Sequence, residues 1–286
     1  MILKVAGVQM GPYAGSLQSQ LDFIETLGRK AVEQHSPDLL IFPELISTPY
    51  FPLEKDNKWF ALAEAIPGPT TDCLSRLAVR GACNVVGTLF HKAEEKYLNT
   101  AVLMGADGGI TGSYSKTHIP NINHGKTRGF ESFYFSAGND FAIWDIKGVK
   151  VGILICYDRS FPEAWRALSL NGASLVIVPA SSSGFRSTMF VQELQIRAIE
   201  NGVWVVAVNK GGDELTVDEA GPADFYGSSC VITPEGEVVV KKGREPGVDF
   251  SWEIDTSVVE PARAKLGYLQ ARRPDLYGDI TTKQGE

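Results

Sequence analysis

Apolar and polar positions along this chain follow two different periods. The stretches ILKVAGVQM, DLLIFPE, NVVGTLF, NTAVLM, ITGSYSK, SLVIVPA and VWVVAVN are short, apolar and bounded by turn formers, and they read as strands. LQSQLDFIETLGRKAVEQH instead carries its apolar residues at helical spacing, and helices are also predicted over 71–81 and about 187–200. A hairpin turning at Pro234-Glu235-Gly236 and a strand near FSWEID complete the set. Strands alternate with helices in the first and third quarters and follow one another directly in between. That order predicts an α/β protein with mixed strand pairing. Two stretches, 120–139 and 211–226, carry no clear period. Loops of that length in a compact domain are mostly functional, and the aromatics of the first suit a packed one.

The segment VKVGILICYDRSFPEAWRAL joins pattern to chemistry. Residues 149–155 read as a strand covered on both faces. Ser160-x-x-Glu163 reads as a capping box with Pro162 in the first helical turn, and Asn171-Gly172 stops that helix. Cys156 therefore falls at the carboxyl end of a strand, just before a helix N-terminus. Open α/β sheets bind ligands at such places, and the helix dipole favours a thiolate there. A cysteine beside an apolar run also suits an inert buried thiol, which is the reading for Cys73, Cys83 and Cys230. Glu44 after LLIFP and Lys116 at the end of ITGSYSK close strands in the same manner. Each alone suits a solvated strand end. Together they supply the base, cation and thiol that hydrolysis of a stable amide through a thioester requires.

Composition narrows the partners. At 286 residues, with no repeat or low-complexity linker, one domain over 1–286 is expected. A net charge of -7 without a basic stripe argues against nucleic acid and anionic membrane surfaces, leaving small molecules. Four cysteines without a C-x-x-C and four scattered histidines make neither a zinc site nor a disulfide framework. With no segment reading as a signal peptide or long apolar span, the expectation is a reduced, cytoplasmic protein. No strand is followed by G-x-G-x-x-G, which sets a dinucleotide-binding fold aside.

The three motifs FPE at Glu44, YSKTHIP at Lys116 and ICYDRSFPE at Cys156 resemble, in order and separation, those of the nitrilase or carbon-nitrogen hydrolase superfamily. The resemblance runs from VAGVQM to RRPDLY. It implies a four-layer α-β-β-α sandwich with two mixed sheets, a Glu-Lys-Cys site, no metal, no organic cofactor and a homo-oligomer. It casts Glu44 as general base, Cys156 as nucleophile, and Lys116 with the Tyr157 backbone N–H as oxyanion stabilisers. FESFYFSAG matches the surroundings of a second family glutamate at Glu131. Proper nitrilases usually follow the nucleophile with Trp-Glu, whereas this chain has Tyr157-Asp158, which favours an amidase. CYDRSFPE looks most like N-carbamoyl-amino-acid amidohydrolases, in which an arginine at the place of Arg159 holds the substrate carboxylate. Amidases of dicarboxylic acid monoamides share the pattern. An amide-transfer enzyme and a non-catalytic module on the same fold rank below them, the module because Glu44, Lys116 and Cys156 are all present. In PASSSGF, Ser181 and Ser182 fall near the same sheet edge, where hydroxyls suit substrate orientation or a simple loop.

Overall fold

The computed structural model describes residues 1–124, 127–215 and 222–282. Two six-stranded sheets carry the fold. In spatial order the first holds Val248–Asp255, Ile2–Gln9, Leu39–Ile41, Asn84–Ala93, Lys96–Met104 and Ile110–Ser115. The second holds Val238–Lys241, Cys230–Ile232, Trp204–Asn209, Leu175–Ala180, Val149–Ile153 and Ile143–Ile146. Each sheet has three parallel strands at its centre and antiparallel ones outside, so both are mixed.

Strand alternation builds the layers. Leu3, Val5, Leu39, Ile41, Val86 and Leu103 of the first sheet share one buried cluster with Val151, Ile153, Leu175, Ile177 and Val206 of the second. Their neighbours one position along, Ala6, Val8, Leu40, Val85 and Val102, pack instead against Leu21, Ile24, Leu74 and Leu77 of the helices Leu17–His35 and Pro69–Gly81. The helices Pro162–Leu170 and Phe190–Asn201 cover the outer face of the second sheet through Ala164, Trp165, Leu168, Phe190 and Leu194. The result is the expected four-layer α-β-β-α sandwich. Each of these fully buried aliphatic side chains contributes about 2 kcal/mol.

The long first helix starts where Ser16 Oγ accepts the Ser19 N–H at 3.1 Å, and it buries a stripe of Leu21, Ile24, Gly28, Ala31 and Val32. Gly28 sits where the two outer helices touch. A Cβ there would stand 2.6 Å from Leu77 and 2.9 Å from Phe42, so a larger residue would push these buried side chains aside.

Several expected boundaries move. The strand before Cys156 ends at Ile153, and Cys156–Ser160 form a short 3-10 helix. The predicted capping box does not form. The next helix begins at Pro162 behind Phe161, without a side-chain cap, because Ser160 closes the 3-10 turn and its Oγ accepts from Arg186 Nη1 at 3.0 Å. The third-quarter helix starts at Phe190, since Gly184–Thr188 form their own 3-10 turn. The two stretches without a clear period are partly regular. Asn121–His124 pairs with Thr127–Phe130 and is followed by the one-turn helix Glu131–Tyr134, while Gly211–Glu214 pairs with Ala223–Tyr226. The remaining residues 125–126 and 216–221 of these stretches lie outside the described residues.

Candidate active site

Glu44, Lys116 and Cys156 all follow central or edge strands at one end of the sandwich, and the fold brings them together. Glu44 stands three residues beyond Leu39–Ile41 and Lys116 directly after Ile110–Ser115, and neither side chain has exposed surface. Lys116 Nζ donates to Glu44 Oε1 at 2.8 Å and to Glu131 at 2.7 Å (Oε2) and 2.9 Å (Oε1). Glu44 is held from two further sides, Oε1 accepting from Asn99 Nδ2 at 2.8 Å and Oε2 from the Ser181 N–H at 2.9 Å. Glu131 Oε1 also accepts from Tyr50 Oη at 3.0 Å.

One ammonium between two buried carboxylates has electrostatic consequences. Burial disfavours the charge on Lys116, yet Glu131 and Glu44 outweigh it and hold its pKa above the ordinary lysine range. Burial pushes the Glu131 carboxyl up to about 7; Lys116 opposes that rise while Glu44 adds to it. Cys156 departs from the sequence expectation of a favoured thiolate. Burial first, and then the Glu44 charge, push the thiol up to about 11 against the pull of Lys116 and Arg159. A five-residue 3-10 turn provides little of the dipole that a long helix would. The resting sulfur is therefore a thiol, activated only by proton transfer.

Cys156 occupies a left-handed backbone conformation, φ +47°, which a residue with a side chain adopts at a cost of about 1–3 kcal/mol. Asp158 ties the turn down by accepting the Ile155 N–H at 3.1 Å. Tyr157 is the second residue of that 3-10 turn, where backbone N–H groups lack intrahelical acceptors. Cys156 Sγ lies 3.4 Å from Ser182 Oγ and forms part of a cavity of about 890 Å³. Tyr50, Glu131, Tyr157 and Tyr226 share its wall with three arginines, Arg128, Arg159 and Arg186.

Ser181 and Ser182 both line this cavity, the Ser181 hydroxyl turned into the protein and the Ser182 hydroxyl set against Cys156 Sγ. Ser181 Oγ donates to the Glu44 carbonyl at 2.7 Å, so the hydroxyl positions Glu44 and is turned from the cavity. The Ser182 N–H donates to Asn209 Oδ1 at 2.7 Å. Arg159 is almost fully buried, with Nε 3.2 Å from Glu193 Oε2 and Nη1 2.6 Å from the Cys156 carbonyl. Sequence reasoning missed Tyr50 and Asn99, and it named Asp158 beside Tyr157 without giving it a role. Asn99 was the more visible of the two missed, as a polar residue opening the apolar run NTAVLM.

The carbon-nitrogen hydrolase family model matches residues 4–264. The chain belongs to the carbon-nitrogen hydrolase family. This hydrolase is 30% identical to the N-carbamoylputrescine amidase of Solanum lycopersicum, over 90% of its own chain and 88% of the relative's. It is 31% identical to an omega-amidase of Xenopus laevis, over 87% of each chain. Among solved structures, a carbon-nitrogen hydrolase from Helicobacter pylori G27 superposes with a TM-score of 0.91 at 28% identity, covering 99% of both chains. The protein is thus an enzyme hydrolysing carbon–nitrogen bonds other than peptide bonds, in a family whose amidases take small-molecule amides. Among the described residues no helix is long and apolar enough to cross a membrane, and no group of three or more His, Cys, Asp or Glu is placed to hold a metal ion.

Proposed function

We propose that this hydrolase releases ammonia from a small ureido or amide substrate bearing an acid group, with an N-carbamoyl amino acid as the preferred class. The observation that carries the reading is a strained cysteine on the cavity wall beside a buried lysine bound to two carboxylates. Glu44 takes the Cys156 proton as the sulfur bonds to the carbamoyl or amide carbon. Lys116 and the Tyr157 N–H stabilise the negative oxygen that develops. The carbon–nitrogen bond then breaks, and ammonia leaves with the proton returned by Glu44. Water, deprotonated by Glu44, attacks the covalent intermediate and frees Cys156. A carbamoyl substrate yields a carbamic acid, which loses carbon dioxide to give the amine. Glu131 supports Lys116 throughout.

The acid group is supported by charge. In a chain of net charge -7, the cavity wall carries Arg128, Arg159 and Arg186; Arg159 and Arg186 share the single counter-ion Glu193, so the wall stays net positive, and Glu131 is its one acidic lining residue among those described. An ammonium-bearing ureido substrate, of the kind named for the tomato relative, meets an unfavourable wall here. A dicarboxylic acid monoamide fits the same charge pattern, and the likeness to an omega-amidase favours it as the second reading. An ammonia-release screen over N-carbamoyl amino acids, dicarboxylate monoamides, neutral aliphatic amides, N-carbamoyl amines and nitriles decides between them. Highest specificity constants on the acids support the proposal, and a preference for amines or nitriles contradicts it.

The family resemblance further supports a homo-oligomer, which light scattering on the purified protein tests. Four free, buried cysteines accord with a reducing, cytoplasmic setting.

A further inference from the structure

Arg159 is the residue whose surroundings differ most from what a substrate anchor needs. Its guanidinium is held on three sides. Nε pairs with Glu193 Oε2 at 3.2 Å, the plane lies 4.8 Å over the Phe190 ring, and Nη1 points back at its own turn. There it meets the Cys156 carbonyl at 2.6 Å and Cys156 Sγ at 3.7 Å. Glu193 is itself fixed by Arg186 Nη2 at 2.9 Å, and Trp165 Nε1 holds the Arg159 carbonyl at 2.8 Å. A side chain so committed has little freedom to reach for a ligand.

The bond to the Cys156 carbonyl has a clear physical effect. At φ +47° the nucleophile is in the one strained backbone state of its turn, and a charged donor on its own carbonyl favours that state over relaxed alternatives. The same N–H group faces the sulfur. Around Cys156 stand Glu44 and Lys116 from the first-sheet ends, Glu131 from its one-turn helix, Tyr50 from the loop after Glu44, Tyr226 from the 223–226 strand and Arg159 from its own turn. Lys116 pulls on the sulfur as well but is shared with both carboxylates, so Arg159, whose Nη1 stands 3.7 Å from Sγ, is the second cation that answers a charge forming there.

Building on the reading of Cys156 as nucleophile, we infer that Arg159 is a positioning residue for that cysteine: it locks the left-handed backbone and steadies the nascent thiolate, and it does not grip the acid end of the substrate. This differs from the role that resemblance to N-carbamoyl-amino-acid amidohydrolases implies for an arginine at this place.

The test uses Arg159→Gln, which keeps a donor without charge, and Arg159→Lys, which keeps the charge. Turnover is measured on an N-carbamoyl amino acid and on a neutral aliphatic amide of similar size, and the pH profile of Cys156 alkylation by iodoacetamide is recorded without substrate. Arg159→Gln is expected to lower kcat roughly ten- to a hundredfold on both substrates, the range for a lost charge-assisted hydrogen bond, with little change in KM. Its alkylation is expected to be slower at each pH below the midpoint, while Arg159→Lys lies nearer the wild type. A loss confined to the acidic substrate and seen in KM, or an alkylation rate unchanged or raised, overturns the inference. Failure of the nucleophile reading shows separately, as hydrolysis surviving in Cys156→Ala.

Discussion

Asp158 Oδ1 accepts from both the backbone N–H of His118, at 2.8 Å, and the ring Nδ1 of His118, at 2.8 Å. Thr117 Oγ1 donates to the same oxygen at 2.9 Å, while Tyr114 Oη and the Ile155 N–H donate to Oδ2 at 2.8 and 3.1 Å. One fully buried carboxylate thus joins the residues flanking Lys116 to the turn that carries Cys156. The His118 ring also stacks on Phe161, centroids 3.7 Å apart, just past that turn.

Asp158→Asn should therefore damage both stability and activity. The amide NH2 must face donors on one side, leaving buried N–H or O–H groups unpaired at a cost of about 3 kcal/mol. The expected result is a clear fall in Tm together with a kcat loss of at least about tenfold. Calorimetry and steady-state kinetics on the same preparation check it, and wild-type values in both would show that the weld is dispensable.

Lys116→Ala leaves Glu44 and Glu131 facing each other without their shared cation. Turnover should fall about a hundredfold or more, the scale for losing an oxyanion donor. Breaking the buried pair should also destabilise the fold by about 3–5 kcal/mol. Glu44→Gln removes the base while keeping the shape and the Lys116–Glu131 pair; its amide NH2 faces donors on one side, so it costs some stability but less than losing the shared cation. It should be as inactive as Lys116→Ala, yet closer to the wild type in Tm. An active Glu44→Gln enzyme would remove Glu44 from the chemistry.

Glu131 gives the fold a pH dependence of defined sign. Burial raises its carboxyl from the usual 4.5 to about 7 in the folded protein, so the folded state binds its proton more tightly than the unfolded one. The stability from that difference is complete below 4.5 and is lost as pH rises through about 7. Glu131→Gln mimics the protonated form and has no such loss. The Tm of the wild type should fall relative to that of Glu131→Gln across this interval, and parallel Tm curves would rule the shift out. Tyr50→Phe removes the Oη donor that favours the ionised carboxylate, so it should steepen the decline.

Glu44 and Cys156 were legible because each is a polar group at the end of an apolar strand, where a core has no use for it; Lys116, after the mostly polar strand Ile110–Ser115, was legible from the motif YSKTHIP in company with them. The sheets were legible in the short, nearly continuous apolar runs from VAGVQM to VWVVAVN, bounded by turn formers. Their supporting partners were hidden by distance along the chain. Tyr50 reads as a core aromatic until Glu131, 81 positions away, is brought to its hydroxyl. Glu193, which holds Arg159, lies 34 positions beyond it, past a helix, a strand and a 3-10 turn. The local capping signal at Ser160 and Glu163 failed because Asp158 and Arg186 draw residues 156–160 into a tighter turn. Tertiary bonds there outweigh local helix-start chemistry.

The central claim is a covalent bond between substrate carbon and Cys156 Sγ. It is tested most directly by mixing enzyme with an N-carbamoyl amino acid, quenching in acid within a turnover, and locating the added mass by peptide mass spectrometry, with Cys156→Ala run in parallel. The expected result is an acyl or carbamoyl adduct on the peptide bearing Cys156, none on Cys73, Cys83 or Cys230, and a folded but inactive Cys156→Ala protein. Hydrolysis at near wild-type rate by Cys156→Ala, with no adduct on the wild type, would contradict it.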